Sequence, residues 1–260
     1  MKQTNTLTSN NAYSNTPADL IKRVGVLAYG LLGYIVGCTG LFWLILGAGG
    51  IAPIGLSEWQ AGSTASALLT DLALIVIFSV QHSIMARSWF KAWLTIYIPA
   101  AAERATYMLM SGIVTVLAIY FWQALPGTVW GIESATAQIA MWGMYALGWT
   151  YLLLSTMVTN HFELMGLRQV YLYFRNKPYT KLPFTRKFMY RYSRHPMMLG
   201  FLIGLWAVPV MSATHFILSA LFTLYIGVGM YFEERDLTKN FGDTYRKYKQ
   251  EIATFIPNLY

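Results

Sequence analysis

Between His195 and Glu233 the chain carries no charged residue, and this run is its strongest constraint on folding. A helix rises about 1.5 Å per residue and the hydrocarbon core of a bilayer is roughly 30 Å thick, so one straight helix of that length would overshoot nearly twofold. The run predicts a helical hairpin that turns near residues 209–212, where Pro209 interrupts it. Both arms then end on one face, and Arg194-His195-Pro196 before the run meets Glu233-Glu234 after it.

The remainder of the chain repeats the theme. Of 260 residues, 56% are hydrophobic and 12% charged, against about 25% charged in soluble domains. The expected fold is an all-α membrane protein with about six transmembrane helices, a C-terminal helical hairpin and a cytoplasmic amphipathic tail helix. Nearly uncharged runs at about 24–47, 67–86, 105–125, 136–160, 196–210 and 213–232 mark the spans. Every Lys and Arg falls within residues 1–23, 87–104, 168–194 or 235–249, and segments 48–66, 126–135 and 209–214 contain none. The positive-inside rule then places the basic segments and both termini in the cytoplasm, which predicts a multi-pass protein of the cytoplasmic (inner) membrane.

Residues 1–18, rich in Asn, Ser and Thr, are expected to form a disordered tail without the apolar core of a signal peptide. Residues 19–260 form a single membrane domain. The lone cysteine, Cys38, lies in an apolar run, which excludes a disulfide framework or a cysteine metal site. The net charge of +8 raises the question of nucleic acid, and segment 166–194 does interleave basic and aromatic residues. Beside a membrane such a segment reads as an interfacial belt, so the expected partner is the bilayer and not nucleic acid.

The polar residues of the spans gather at one end. Gln81, His82, Glu103, Arg104, His161, Glu163, Arg168, Arg194, His195, Glu233 and Glu234 all fall at the predicted cytoplasmic ends. Ionisable groups at such positions are costly and mark functional sites, so their convergence predicts one polar chamber. Asp71 and His215 fall at the opposite face and read as solvated helix ends. No G-x-G-x-x-G or G-K-[ST] loop is present, and the four histidines form neither H-x-x-x-H nor H-E-x-x-H, so no metal is expected.

The tail pattern R-H-P-x-x-x-G, then E-E-x-x-L-x-x-x-F-G-x-x-Y-x-x-Y, is carried by Arg194, His195, Pro196, Gly200, Glu233, Glu234, Leu237, Phe241, Gly242, Tyr245 and Tyr248. It resembles the integral-membrane methyltransferases typified by isoprenylcysteine carboxyl methyltransferase. Gln81-His82-Ser83, Glu103-Arg104 and His161-Phe162-Glu163-Leu164 make the whole chain most similar to their NnrU-related bacterial branch. The resemblance implies S-adenosyl-L-methionine as cofactor, held within about 186–257 by Tyr192, Arg194, His195, Pro196, Met198, Gly200, Glu233 and Glu234. Met198 departs from the family, which often has an aromatic ring there.

The resemblance further implies methylation of a small-molecule thiol, methanethiol, to dimethyl sulfide, with no obligate protein partner. A thiol becomes a better nucleophile as the thiolate, so a base or cation near it is expected. The candidates are His161, Glu163, His82 and Arg168, with His161 and Glu163 preferred because they end the fourth span. Pairing of Glu163 with Arg168 or Arg104, and simple burial of His82, stand as alternatives. Rival readings are another methyl acceptor (a prenylcysteine carboxylate or a phospholipid amine), an NADPH-dependent membrane reductase, or a non-enzymatic membrane protein.

Overall fold

The computed structural model describes residues 16–51, 56, 59–60, 62–183 and 186–256; the expected tail lies outside them as far as residue 15. Thr16 caps the first helix, α1 (Pro17–Ala48), by accepting from Asp19 N. Pro17, in the first turn, gives up no intrahelical bond there. α2 (Thr64–Ala86) opens with a capping box in which Ser63 and Ser66 satisfy each other's backbone. The aromatic-rich α3 (Ser88–Leu94) follows, then α4 (Glu103–Tyr120) and the uncharged α5 (Ala135–Val158).

Two short helices, α6 (His161–Leu164) and α7 (Leu167–Phe174), lead toward the hairpin of α8 (Pro196–Trp206) and α9 (Ala213–Phe241). α10 (Asp243–Glu251) is the expected tail helix. Among the described residues four helices are long and apolar enough to cross a membrane, α1, α2, α9 and the stretch Ala100–Tyr120 that contains α4, against the six spans expected; α8 is shorter, at 11 residues. Apolar outer faces are direct: Leu69 and Ile77 on α2, Ile139 on α5 and Leu224 on α9 are each more than half exposed, as an apolar surrounding tolerates.

Helix contacts depend on missing side chains. A Cβ on Gly40 would come within 2.8 Å of Gly112 Cα, which is how α1 and α4 touch backbone to backbone. α5 meets α8 likewise, because a Cβ on Gly200 would lie 2.6 Å from Leu152 N. The sequence reading did not anticipate any strand. Thr128–Gly131 (β1) pairs antiparallel with Val210–Ser212 (β2), so the hairpin turn is a β-bridge to the α4–α5 connection. That sheet and Ser63 lie at one end of the bundle. The end of α2, the starts of α4 and α8, and the far part of α9 lie at the other. α9 runs nine residues past the expected end of its span at 232 and carries Glu233 and Glu234 on a continuous helix.

Candidate active site

The hairpin brings the two tail motifs together as its length requires. Arg194 Nε donates to Glu234 Oε1 at 2.8 Å, His195 Nε2 to the same oxygen at 3.1 Å, and Lys249 Nζ pairs with Glu234 Oε2 at 2.6 Å. Glu234 is therefore ringed by three basic groups. His195 Nδ1 lies 3.6 Å from Glu233 Oε2, and the Glu233 side chain keeps 48% of its exposure while His195 keeps 4%. The adjacent carboxylates thus have different surroundings, and Glu233 is the one open to a ligand.

Arg194 does more than pair. Its Nη1 donates to Lys249 O (3.0 Å) and Ile252 O (2.7 Å), and its Nη2 to Thr254 Oγ1 (2.8 Å). The backbone N–H of Arg194 and of His195 reach Ala253 O and Thr254 O, so the segment after α10 is laced to the R-H-P segment. Tyr248, with 1% exposure, donates to Tyr190 O at 2.7 Å; burial raises its phenol to about 12, so it stays a neutral donor. Gly242, at φ 55° and ψ −129°, makes the bend between α9 and α10 in a region side chains disfavour. Much of the tail motif accordingly builds a clasp. Gly200 faces α5, Pro196 starts α8, Met198 is half-buried on it, and Tyr192 is 63% exposed.

The upstream residues divide. His82 stacks on Phe78 and has both ring nitrogens engaged, Nδ1 with Ser111 Oγ (3.1 Å) and Nε2 with the Tyr107 hydroxyl (2.5 Å). His82 also faces the Tyr225 ring of α9 at 6.2 Å, and Arg87 at the end of α2 pairs with Asp236 at 3.0 Å, which joins the α2–α4 residues to the helix that carries Glu233. Beside them the Gln81 side-chain oxygen is buried without a hydrogen bond among the described residues. Glu163 binds Arg168 at 2.8 Å and accepts from the Tyr179 hydroxyl at 2.6 Å, while Arg168 also donates to Thr180. That is the pairing alternative for Glu163, and it engages both terminal nitrogens of Arg168.

His161 is fixed on both sides. Thr156 Oγ1 donates to Leu153 O, so His161 Nδ1–H donates to Thr156 at 2.8 Å, and Nε2 accepts from the Tyr34 hydroxyl at 3.0 Å. With 7% exposure its burial lowers the imidazole pKa and favours the neutral form. The unfolded chain, at the ordinary value near 6.5, then binds more protons as the pH drops. The imidazole's contribution is complete above about pH 6.5 and declines from there toward its lower folded value. We expect melting temperature in detergent to fall between pH 7.5 and 5.5, and His161→Gln to flatten that slope; an equal slope in the variant would contradict the assignment.

Two residues at the centre of this geometry were not singled out from sequence, Tyr107 and Lys249. Tyr107 stands one helical turn after Arg104, and Lys249 directly follows the second motif tyrosine, so period-3.6 spacing held the signal. An opening of about 390 Å³ beside Gln60, Ser63 and Leu125 lies at the opposite helix ends from Glu233.

Fold and site together define a polytopic helical membrane protein with an ionisable cluster clasped at one end of its bundle. The chain belongs to the NnrU protein family, whose family model matches residues 72–256. It is similar to the methanethiol S-methyltransferase of Mycobacterium tuberculosis, 39% identical over 238 residues that cover 91% of this chain and 98% of that protein. The methanethiol S-methyltransferase of Crocosphaera subtropica is also 39% identical, covering 91% and 93% of the two chains. Nurim of Rattus norvegicus is 30% identical over 70% of this chain and 72% of its own. No solved structure matches.

Proposed function

We propose that this protein methylates methanethiol to dimethyl sulfide with S-adenosyl-L-methionine as donor, at the cytoplasmic face of the inner membrane. Relatives of that name, aligned over nine-tenths of both chains, support the acceptor. The observation that carries the site is the asymmetry of the glutamate pair: Glu234 is held by three basic groups, and Glu233 is half exposed against His195. A carboxylate so placed suits an ammonium group. These features fit the donor, whose sulfonium supplies an activated methyl group when bound.

The chain's own residues then orient and deprotonate. His195 fixes Glu233, Arg194 and Lys249 fix Glu234, and the clasped tail covers the cluster from the side of α10. Of the four expected thiol-activating residues, His82 is the one bonded to Tyr107 and set against α9, the helix that carries Glu233. In this reading it accepts the thiol proton through that phenol. The cytoplasmic placement rests on the basic residues, which the positive-inside rule assigns to that side. An acceptor panel tests the reading. Purified protein with labelled donor is expected to methylate methanethiol and to leave a prenylcysteine analogue and phosphatidylethanolamine unlabelled; label in either of the latter alone would overturn it.

A further inference from the structure

Arg104 stands apart from the other basic residues of the interior. Arg23, Arg87, Lys91, Arg168 and Arg194 are likewise not exposed, and each has an acceptor: Phe174 O at 3.4 Å, Asp236 at 3.0 Å, Glu103 at 3.6 Å, Glu163 at 2.8 Å and Glu234 at 2.8 Å. The Arg104 side chain makes no hydrogen bond or ion pair to any described residue. Leaving a half-buried guanidinium without an acceptor is unfavourable, so its place fits an anion brought from outside the chain. A second positive charge deepens that preference. Lys91 is close, and burial, then Arg104 itself, lower its amine pKa.

The position is defined. Arg104 sits in the first turn of α4, with Gly166 of the α6–α7 turn so near that a Cβ there would lie 3.1 Å from Arg104 Cγ. One turn further along α4, Tyr107 bonds His82 of α2 at 2.5 Å, and Arg87, which caps the end of α2, pairs at 3.0 Å with Asp236, three residues after Glu233 on α9. A cation and an open carboxylate therefore stand at the same end of the bundle, on helices that α2 joins. An amino-acid zwitterion presents that pair of opposite charges on one carbon, and the guanidinium fork matches a carboxylate, whereas a single-atom thiolate would leave the fork half used.

Resting on the donor reading above, we propose that Arg104 takes the carboxylate of the methyl donor while Glu233 takes its ammonium. Arg194, the residue that the family resemblance offers for the carboxylate, is already occupied by Glu234 and three acceptors of the tail.

Calorimetric binding to purified protein tests this with two probes, S-adenosylhomocysteine and S-adenosyl-3-thiopropylamine, the same molecule without its carboxylate. Arg104→Gln is expected to weaken the first by about 10- to 100-fold, the range of a charged hydrogen-bonded pair, and to leave the second unchanged. Arg104→Lys should restore part of the difference, and it carries the test if the glutamine variant does not fold. Equal losses for both probes, or no loss for either, would overturn the assignment. So would unchanged S-adenosylhomocysteine binding accompanied by a turnover profile moved to higher pH, which would place the thiolate there. A parent protein that binds neither probe would overturn the donor reading itself, an outcome distinct from a parent that binds and a variant that is indifferent.

Discussion

Glu233→Gln is expected to abolish donor binding while the protein stays folded. The substitution keeps size and removes charge at the one carboxylate of the cluster with half its surface open. An ammonium group loses a charge-assisted partner, and catalytic efficiency falls by at least about 100-fold once orientation is lost as well. Thermal stability should change little, because the ion-pair geometry of Glu233 is limited to His195 at 3.6 Å. Glu234→Gln behaves in the opposite sense. It leaves Arg194, His195 and Lys249 around a neutral amide, so the loss appears first in stability. Two neighbouring glutamates with separable phenotypes, one in binding and one in folding, are the signature of this arrangement; matching phenotypes would count against it.

Arg194→Ala is expected to release the tail. The Arg194 and Glu234 side chains keep 11% and 15% of their exposure. Removing Arg194 leaves Glu234 with His195 and Lys249, so the cost falls below the roughly 3–5 kcal/mol of a buried charge left wholly uncompensated. The carbonyls of Lys249 and Ile252 and the Thr254 hydroxyl lose their donors in the same step. Limited proteolysis should then cut beyond Phe241, and melting temperature should fall. Arg194→Lys should rescue little, since a single ammonium cannot span four acceptors as the guanidinium does. A variant with intact protease resistance and lost donor affinity would instead assign Arg194 to the donor.

How far the sequence determines this picture varies by element. The hairpin follows from physics alone, because an uncharged run too long for one span has to turn, and α8 and α9 do. The meeting of Arg194 and His195 with Glu233 and Glu234 follows from the same geometry. The partition of roles among those four residues does not. Spacing places a side chain on a face, but whether it is already saturated depends on partners such as Lys249 and Thr254, tens of residues away. Arg168 and Arg104 illustrate the point. Either could have paired Glu163, and only the fold of Tyr179 and Thr180 beside Arg168 decides it. The β1–β2 pairing was hidden for another reason: strands of four and three residues in turn segments carry too little periodicity to register.

The account's central claim is methyl transfer to methanethiol at the Glu233 site. The most direct test is headspace detection of dimethyl sulfide from purified protein supplied with S-adenosyl-L-methionine and methanethiol, with Glu233→Gln run in parallel. The account predicts product from the parent and none above background from a variant with the parent's melting temperature. Undiminished product from Glu233→Gln, or none from a parent shown to bind S-adenosylhomocysteine, would contradict it.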